Sequence, residues 1–104
     1  MINGNRPPVS LTRGLVPPGV AAWVPLPRTI VAAPSTPLTR RLVAHELEHV
    51  RQWEHHGWSF PIRYALAWVR AGFNYERIPC EIAARAAELD LTTLAWADEV
   101  LHGG

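Results

Sequence analysis

The sequence predicts an α+β fold, a small N-terminal β-sheet packed on a three-helix unit. Three observations carry this expectation. Eight of the ten prolines fall within residues 1–37. Proline withholds a backbone donor and breaks helices, so this third of the chain reads as extended and loop-rich. Beyond it, apolar residues recur at three- to four-residue spacing, the period of a helix. Gly57 and Gly72 then punctuate that region where helices need a stop. At 104 residues, residues 1–104 fit one small domain.

In chain order, two short runs predict strands, Val20 to Val24 and Arg28 to Ala33 (RTIVAA). The prolines around them place both at sheet edges. Ser35-Thr36-Pro37 reads as a helix start, with Thr36 as cap and Pro37 in the first helical position. That helix runs to about His56. Leu38, Leu42, His45, His49, Gln52 and His56 fall on or near one face, and Val43, Leu47, Val50 and Trp53 line a neighbouring one. A second helix spans Pro61 to Ala71, with Ile62, Ala65, Leu66 and Val69 on a stripe flanked by Tyr64 and Trp68. A link from Phe73 to Ile78 leads to Pro79, which opens a third helix running to about Leu101. Its Ile82, Ala86, Leu89 and Ala97 suit packing against the first. The five tryptophans read as core packing. The AWVRAGF stretch reads either as a buried helix or as an apolar patch for a partner or lipid surface.

Composition excludes several classes. Hydrophobic residues make up 48% and charged residues 18%, which is globular rather than disordered. A net charge of +1 supplies no field to gather nucleic acid or an acidic membrane, so a purely electrostatic partner is not expected. All ten basic side chains are arginine, which removes lysine Schiff-base chemistry. Cys80 is the single cysteine, so no intrachain disulfide forms. The opening MINGNRPPVS lacks the apolar region of a signal peptide, and no transmembrane segment of 18 apolar residues occurs. A cytoplasmic location is the expectation.

Chemistry concentrates in His45-Glu46-Leu47-Glu48-His49. Histidines at i and i+4 lie one turn apart on one helical face and can converge on a single tetrahedral Zn2+ ion. Glu46 follows the first ligand, where it can deprotonate a metal-bound water; this is the metalloprotease HExxH signature. His55 stands where a third histidine ligand is sometimes found, but that pattern needs glycine at position 52, and Gln52 occupies it. On an unbroken helix His55 faces away from His49. Glu81, on the first turn of the helix behind Pro79, is the better third ligand. Glu76 is the runner-up, and Cys80 is read as packing.

The segments HELEHVRQW and YERIPCEIAAR resemble the two signatures of small gluzincin-type metallopeptidases, compact bacterial proteins of unassigned substrate. The resemblance covers roughly residues 28–90. It implies that Glu81 is the third zinc ligand. The second glutamate usual two residues later is Ala83 here. The aspartate that orients a histidine in larger gluzincins is Arg85. The resemblance also implies that the RTIVAA strand forms an edge to which a peptide adds in extended form.

The expected function is therefore zinc-dependent hydrolysis of peptide bonds, with Glu46 as general base and a peptide or protein as substrate. The rival is a non-catalytic or latent zinc-binding module. Tyr75 is the first candidate for an oxyanion stabiliser, with Tyr64 and His56 behind it. Gln52 either contacts substrate or orients a ligand, and His102 is near enough the C-terminus to approach the metal. Glu54, Glu88, Asp90, Asp98 and Glu99 read as solvated charges.

Overall fold

The computed structural model describes residues 8–73 and 78–103. The fold class is the expected α+β. Three strands come first, β1 (Ser10–Arg13), β2 (Ala22–Leu26) and β3 (Thr29–Ala32). Four helices follow: α1 (Arg40–His56), α2 (Phe60–Arg70), α3 (Pro79–Ala87) and α4 (Leu91–Gly103). A 3-10 turn, Gly57–Ser59, joins α1 to α2.

The sheet order is β1-β3-β2, with β1 parallel and β2 antiparallel to β3. The RTIVAA strand is therefore central rather than an edge. Its Thr29–Ala32 core contains no proline, so both sides offer a complete donor row, and β1, which the sequence pattern did not reveal, takes one of them. The edge facing the helices' groove is β2. It carries Pro25 and a break in register between Trp23 and Leu26, as proline in a strand demands.

Helix α1 begins three residues later than Thr36-Pro37 suggests. Thr39 is the cap, its Oγ1 accepting from the Leu42 amide at 3.1 Å. The Arg13 guanidinium holds residues 33–36 as a loop, donating to the carbonyls of Ala33, Pro34 and Thr36 at 2.8–2.9 Å. The helix ends where expected, at Gly57, whose φ of 62° suits glycine. The predicted third helix is two helices. Asp90 interrupts it: its carboxylate accepts from the Thr93 amide at 2.9 Å and hydroxyl at 2.8 Å, capping α4. Asp90 is thus a cap as well as a solvated charge.

The core lies between the sheet and α1, backed by α4. Ile30 meets Val43, Ala44, Leu47 and Val50, with Leu94, Trp96 and Ala97 behind. Trp53 closes one end, donating its indole N–H to the Val24 carbonyl at 2.9 Å. Fully burying each such aliphatic side chain contributes about 1.5–3 kcal/mol. Of the five tryptophans only Trp53 and Trp96 are core residues; Trp23, Trp58 and Trp68 are exposed. Helix α3 also turns a different face to α1 than its apolar spacing suggests. Glu81, Ala84 and Ala87 are buried, while Ile82 and Leu89 face solvent. The phase of α3 places a carboxylate, not isoleucine, against α1.

Candidate metal centre

Helix α1 presents His45 and His49 on one side, one turn apart, and α3 packs across them. The Glu81 side chain is 1% exposed, one of the most deeply buried in the protein. A buried carboxylate is costly unless its oxygens are paired. Here Oε1 lies 3.0 Å from His45 Nε2 and 3.2 Å from His49 Nε2. Oε2 accepts from the Tyr64 hydroxyl at 2.6 Å. Two histidine nitrogens and a carboxylate oxygen thus gather within 4.8 Å of one another, a group that can hold a metal ion.

The donor chemistry fits an ion, as does the spacing of the Glu81 oxygen from each histidine nitrogen. Ligand atoms about 2.0–2.1 Å from a tetrahedral centre are about 3.3 Å apart, close to the 3.0 and 3.2 Å found here. Both Nε2 atoms point inward, while both Nδ1 atoms are held from outside. His45 Nδ1 donates to Glu88 Oε2 at 2.8 Å, and His49 Nδ1 donates to Gln52 Oε1 at 2.9 Å. Such outer partners fix the tautomer that leaves Nε2 free for a metal. Gln52 is itself tethered, donating to the Cys80 carbonyl at 3.2 Å and to Glu48 at 3.3 Å. Gln52 thus holds the His49 ring in place.

Glu88 is a correction. It is half-buried and bound to His45, with Arg41 at 3.9 Å from its other oxygen. It holds the His45 ring from the C-cap of α3, one turn beyond Arg85. The signal was available, since Glu81 and Glu88 are seven residues apart and share a helical face. Replacing Glu88 by alanine is expected to weaken metal binding about 10–100-fold, with Gln52→Ala giving a similar loss. Competition against a chelating dye measures both.

Glu46 is 4% exposed, and its Oε1 has no hydrogen-bond partner among the described residues. Such an orphan needs a reason. Burial pushes its carboxyl up to about 7, against the opposing pull of His49 and His45. Burial lowers His45, but hydrogen bonds to Glu81 and Glu88 outweigh it and raise the imidazole to about 9. His49 is raised for the same reason, through Glu81. Glu81 is held well below the usual carboxylate range; burial opposes this, and the two histidines and Tyr64 overcome it.

These shifts make metal-free stability pH-dependent. The His45 contribution is complete below its ordinary value of 6.5 and lost as pH rises through about 9. Glu46 is tolerated neutral, so its contribution is present below 4.5 and fades as pH rises through about 7. Glu81 acts oppositely: its contribution is present above 4.5 and fades as pH falls below that value. Chelated protein is expected to be most stable near about pH 5 and to lose several kcal/mol by about pH 9. Thermal melts across that range measure it, and a flat profile contradicts the assignment. Metal binding requires His45 to shed its proton, so affinity is expected to climb with pH over the same interval.

The group opens into a groove of about 1340 Å³. One wall is β2 with the Pro17–Val20 loop; the other is Phe60, Tyr64 and Trp68 of α2. The Trp23 indole fastens the loop by donating to the Leu15 carbonyl at 3.0 Å.

The remaining predicted candidates lie elsewhere. Tyr75 and Glu76 fall outside the described residues. His55 is exposed and edges against His56 rather than the metal group. His102 is exposed on α4. Cys80 is half-buried, outside the ligand group, with its thiol raised by burial. Glu54 and Asp98 make surface ion pairs with Arg28 and Arg40, at 3.8 and 3.0 Å, which contribute about 1 kcal/mol at most. Comparison with protein-family models, curated proteins and solved structures finds no match.

Proposed function

We propose that this protein is a zinc-dependent peptidase of gluzincin type, with His45, His49 and Glu81 as ligands and Glu46 as general base. The observation that carries the reading is the buried, half-unpaired Glu46 carboxylate beside a His–His–Glu group. Two imidazoles and one carboxylate are the donor set of catalytic zinc, which in such sites lowers the pKa of water and polarises a carbonyl. A base poised near neutral pH is suited to taking a proton during attack and returning it to the leaving amine. Glu46 has that poise, from burial. Tyr64 donates to Oε2 of Glu81 and so helps to hold the carboxylate against the two histidines. Glu88 and Gln52 keep the imidazoles aimed.

The groove suits an extended, apolar stretch of polypeptide. Ala21 pairs with Ala33, so alternation turns the amide and carbonyl of Ala22 and Val24 away from β3, toward the free edge. Trp53 already occupies the Val24 carbonyl, and Pro25 has no N–H. Strand addition along Ala22–Pro25 therefore draws little on backbone pairing. Affinity must come from the apolar walls, Leu42, Trp53, Phe60 and Trp68 among them.

A zinc-holding module without catalysis shares the same ligands and is the second reading. Incubation of zinc-loaded protein with a mixed peptide library separates the two. Cleavage that stops on chelation and returns with zinc supports the peptidase. An intact library in the presence of stoichiometric zinc supports the module.

A further inference from the structure

Helix α2 is apolar on two opposite sides. The inner side carries Phe60, Tyr64 and Trp68, which line the groove. The outer side carries Ile62, Leu66 and Val69, which are 64%, 52% and 56% exposed. Their spacing, i, i+4 and i+7, puts them on one stripe. Phe73, although exposed, belongs to the inner side, its ring 5.0 Å from that of Trp68. A helix apolar all round is ordinarily buried all round. This one touches α1 only briefly and leans on the 3-10 turn. A contiguous bare patch of this kind marks a docking surface.

Charge selects the occupant. From Gly57 to Phe73 the only charged side chains are Arg63 and Arg70, with no carboxylate between them. They are seven residues apart, both exposed, and run beside the apolar stripe. Cations beside an apolar stripe match a helix lying in the headgroup layer of an anionic bilayer. A second copy of the chain fits less well. Antiparallel pairing of two α2 helices about Leu66 brings Arg63 of one copy beside Arg70 of the other, without an acidic group on the helix to offset them. With 11 residues, α2 lies on a surface rather than crosses it, and no described helix is long and apolar enough to span a membrane.

We infer that the outer face of α2 seats this protein on anionic lipid surfaces, with the metal groove on the opposite side of the same helix. The inference does not depend on catalysis or on bound zinc. Vesicle flotation tests it, using phosphatidylcholine alone and phosphatidylcholine mixed with phosphatidylglycerol. Wild type is expected to float with the mixed vesicles only. The Arg63→Gln/Arg70→Gln variant is expected to lose on the order of 30-fold in partition coefficient. Ile62→Asn/Leu66→Asn is expected to remain in solution. All four positions are exposed, so circular dichroism and metal content are expected to match wild type; Val69→Asn substitutes if the double variant misfolds. Equal partition onto neutral vesicles, or no flotation at all, overturns the proposal. So does a dimer in sedimentation velocity that Leu66→Asn dissociates, which would identify a second copy as the occupant.

Discussion

Glutamine in place of Glu46 is expected to leave metal content unchanged and to reduce peptide hydrolysis by about 10²–10⁴-fold, the range for loss of a general base. The side chain is not among the converging ligand atoms, so the ion has no reason to leave. Its volume and burial are preserved by the amide, so the fold has no reason to change. The substitution has a second, independent signature. Burial pushes the Glu46 carboxyl up to about 7, which means that its ionised form destabilises the metal-free protein above that pH. Glu46→Gln is therefore expected to make chelated protein more stable than wild type at alkaline pH and to flatten that part of its pH profile. Peptide hydrolysis, metal analysis and thermal melts give the three readouts. Hydrolysis equal to wild type would remove Glu46 from the mechanism and favour a zinc-holding module.

Glutamine at position 81 is expected to act on the metal itself. Zinc affinity should fall by more than about 100-fold, beyond the range for outer partners, because a charged ligand is replaced by a weak neutral one. The metal-free protein should suffer too. Glu81 is the anion that both imidazoles and the Tyr64 hydroxyl surround. Removing one partner from a buried charged cluster typically costs about 3–5 kcal/mol, less where the histidines can release protons. Zinc titration and chelated melts measure the two effects separately. Full-affinity zinc binding by Glu81→Gln would eliminate it as a ligand and leave the histidine pair to find another third donor.

The contrast between the two variants also separates the layers of the assignment. Loss of metal with Glu81→Gln establishes a site; loss of turnover with metal retained in Glu46→Gln establishes an enzyme. Glu88→Ala and Gln52→Ala fall between, weakening the ion through the histidines that they hold.

Much of this centre was legible in the sequence because its parts are local. A helix fixes the relation between positions i and i+4 by its pitch, so His45 and His49 share a face wherever α1 packs. Glycine at position 57 ended the helix as its conformation requires. The third donor lies 32 residues beyond His49; its place on the first turn behind Pro79 and likeness to a known pattern both point to it, but no helical pitch connects it to the histidines. Glu88 shares a helical face with Glu81, a signal present in the spacing, but that face meets His45 only once α3 is laid across α1. Asp90 does not stand out as a cap because the alanine-rich run on both sides reads as one helix; a side chain that accepts from Thr93 decides otherwise.

What the sequence by itself determined is the fold class, the HExxH helix and its two aligned imidazoles, all consequences of backbone periodicity and local stops. Tertiary structure decided the rest. It made β3 central and β2 the groove edge, because strand order follows pairing across the sheet rather than the proline pattern along the chain. It rotated α3 so that Glu81 rather than Ile82 meets α1, because a buried carboxylate needs the three donors found there. It left the Ile62–Leu66–Val69 stripe of α2 bare, because the groove occupies the helix's other side. Periodicity identifies an apolar face, but only packing determines what covers it.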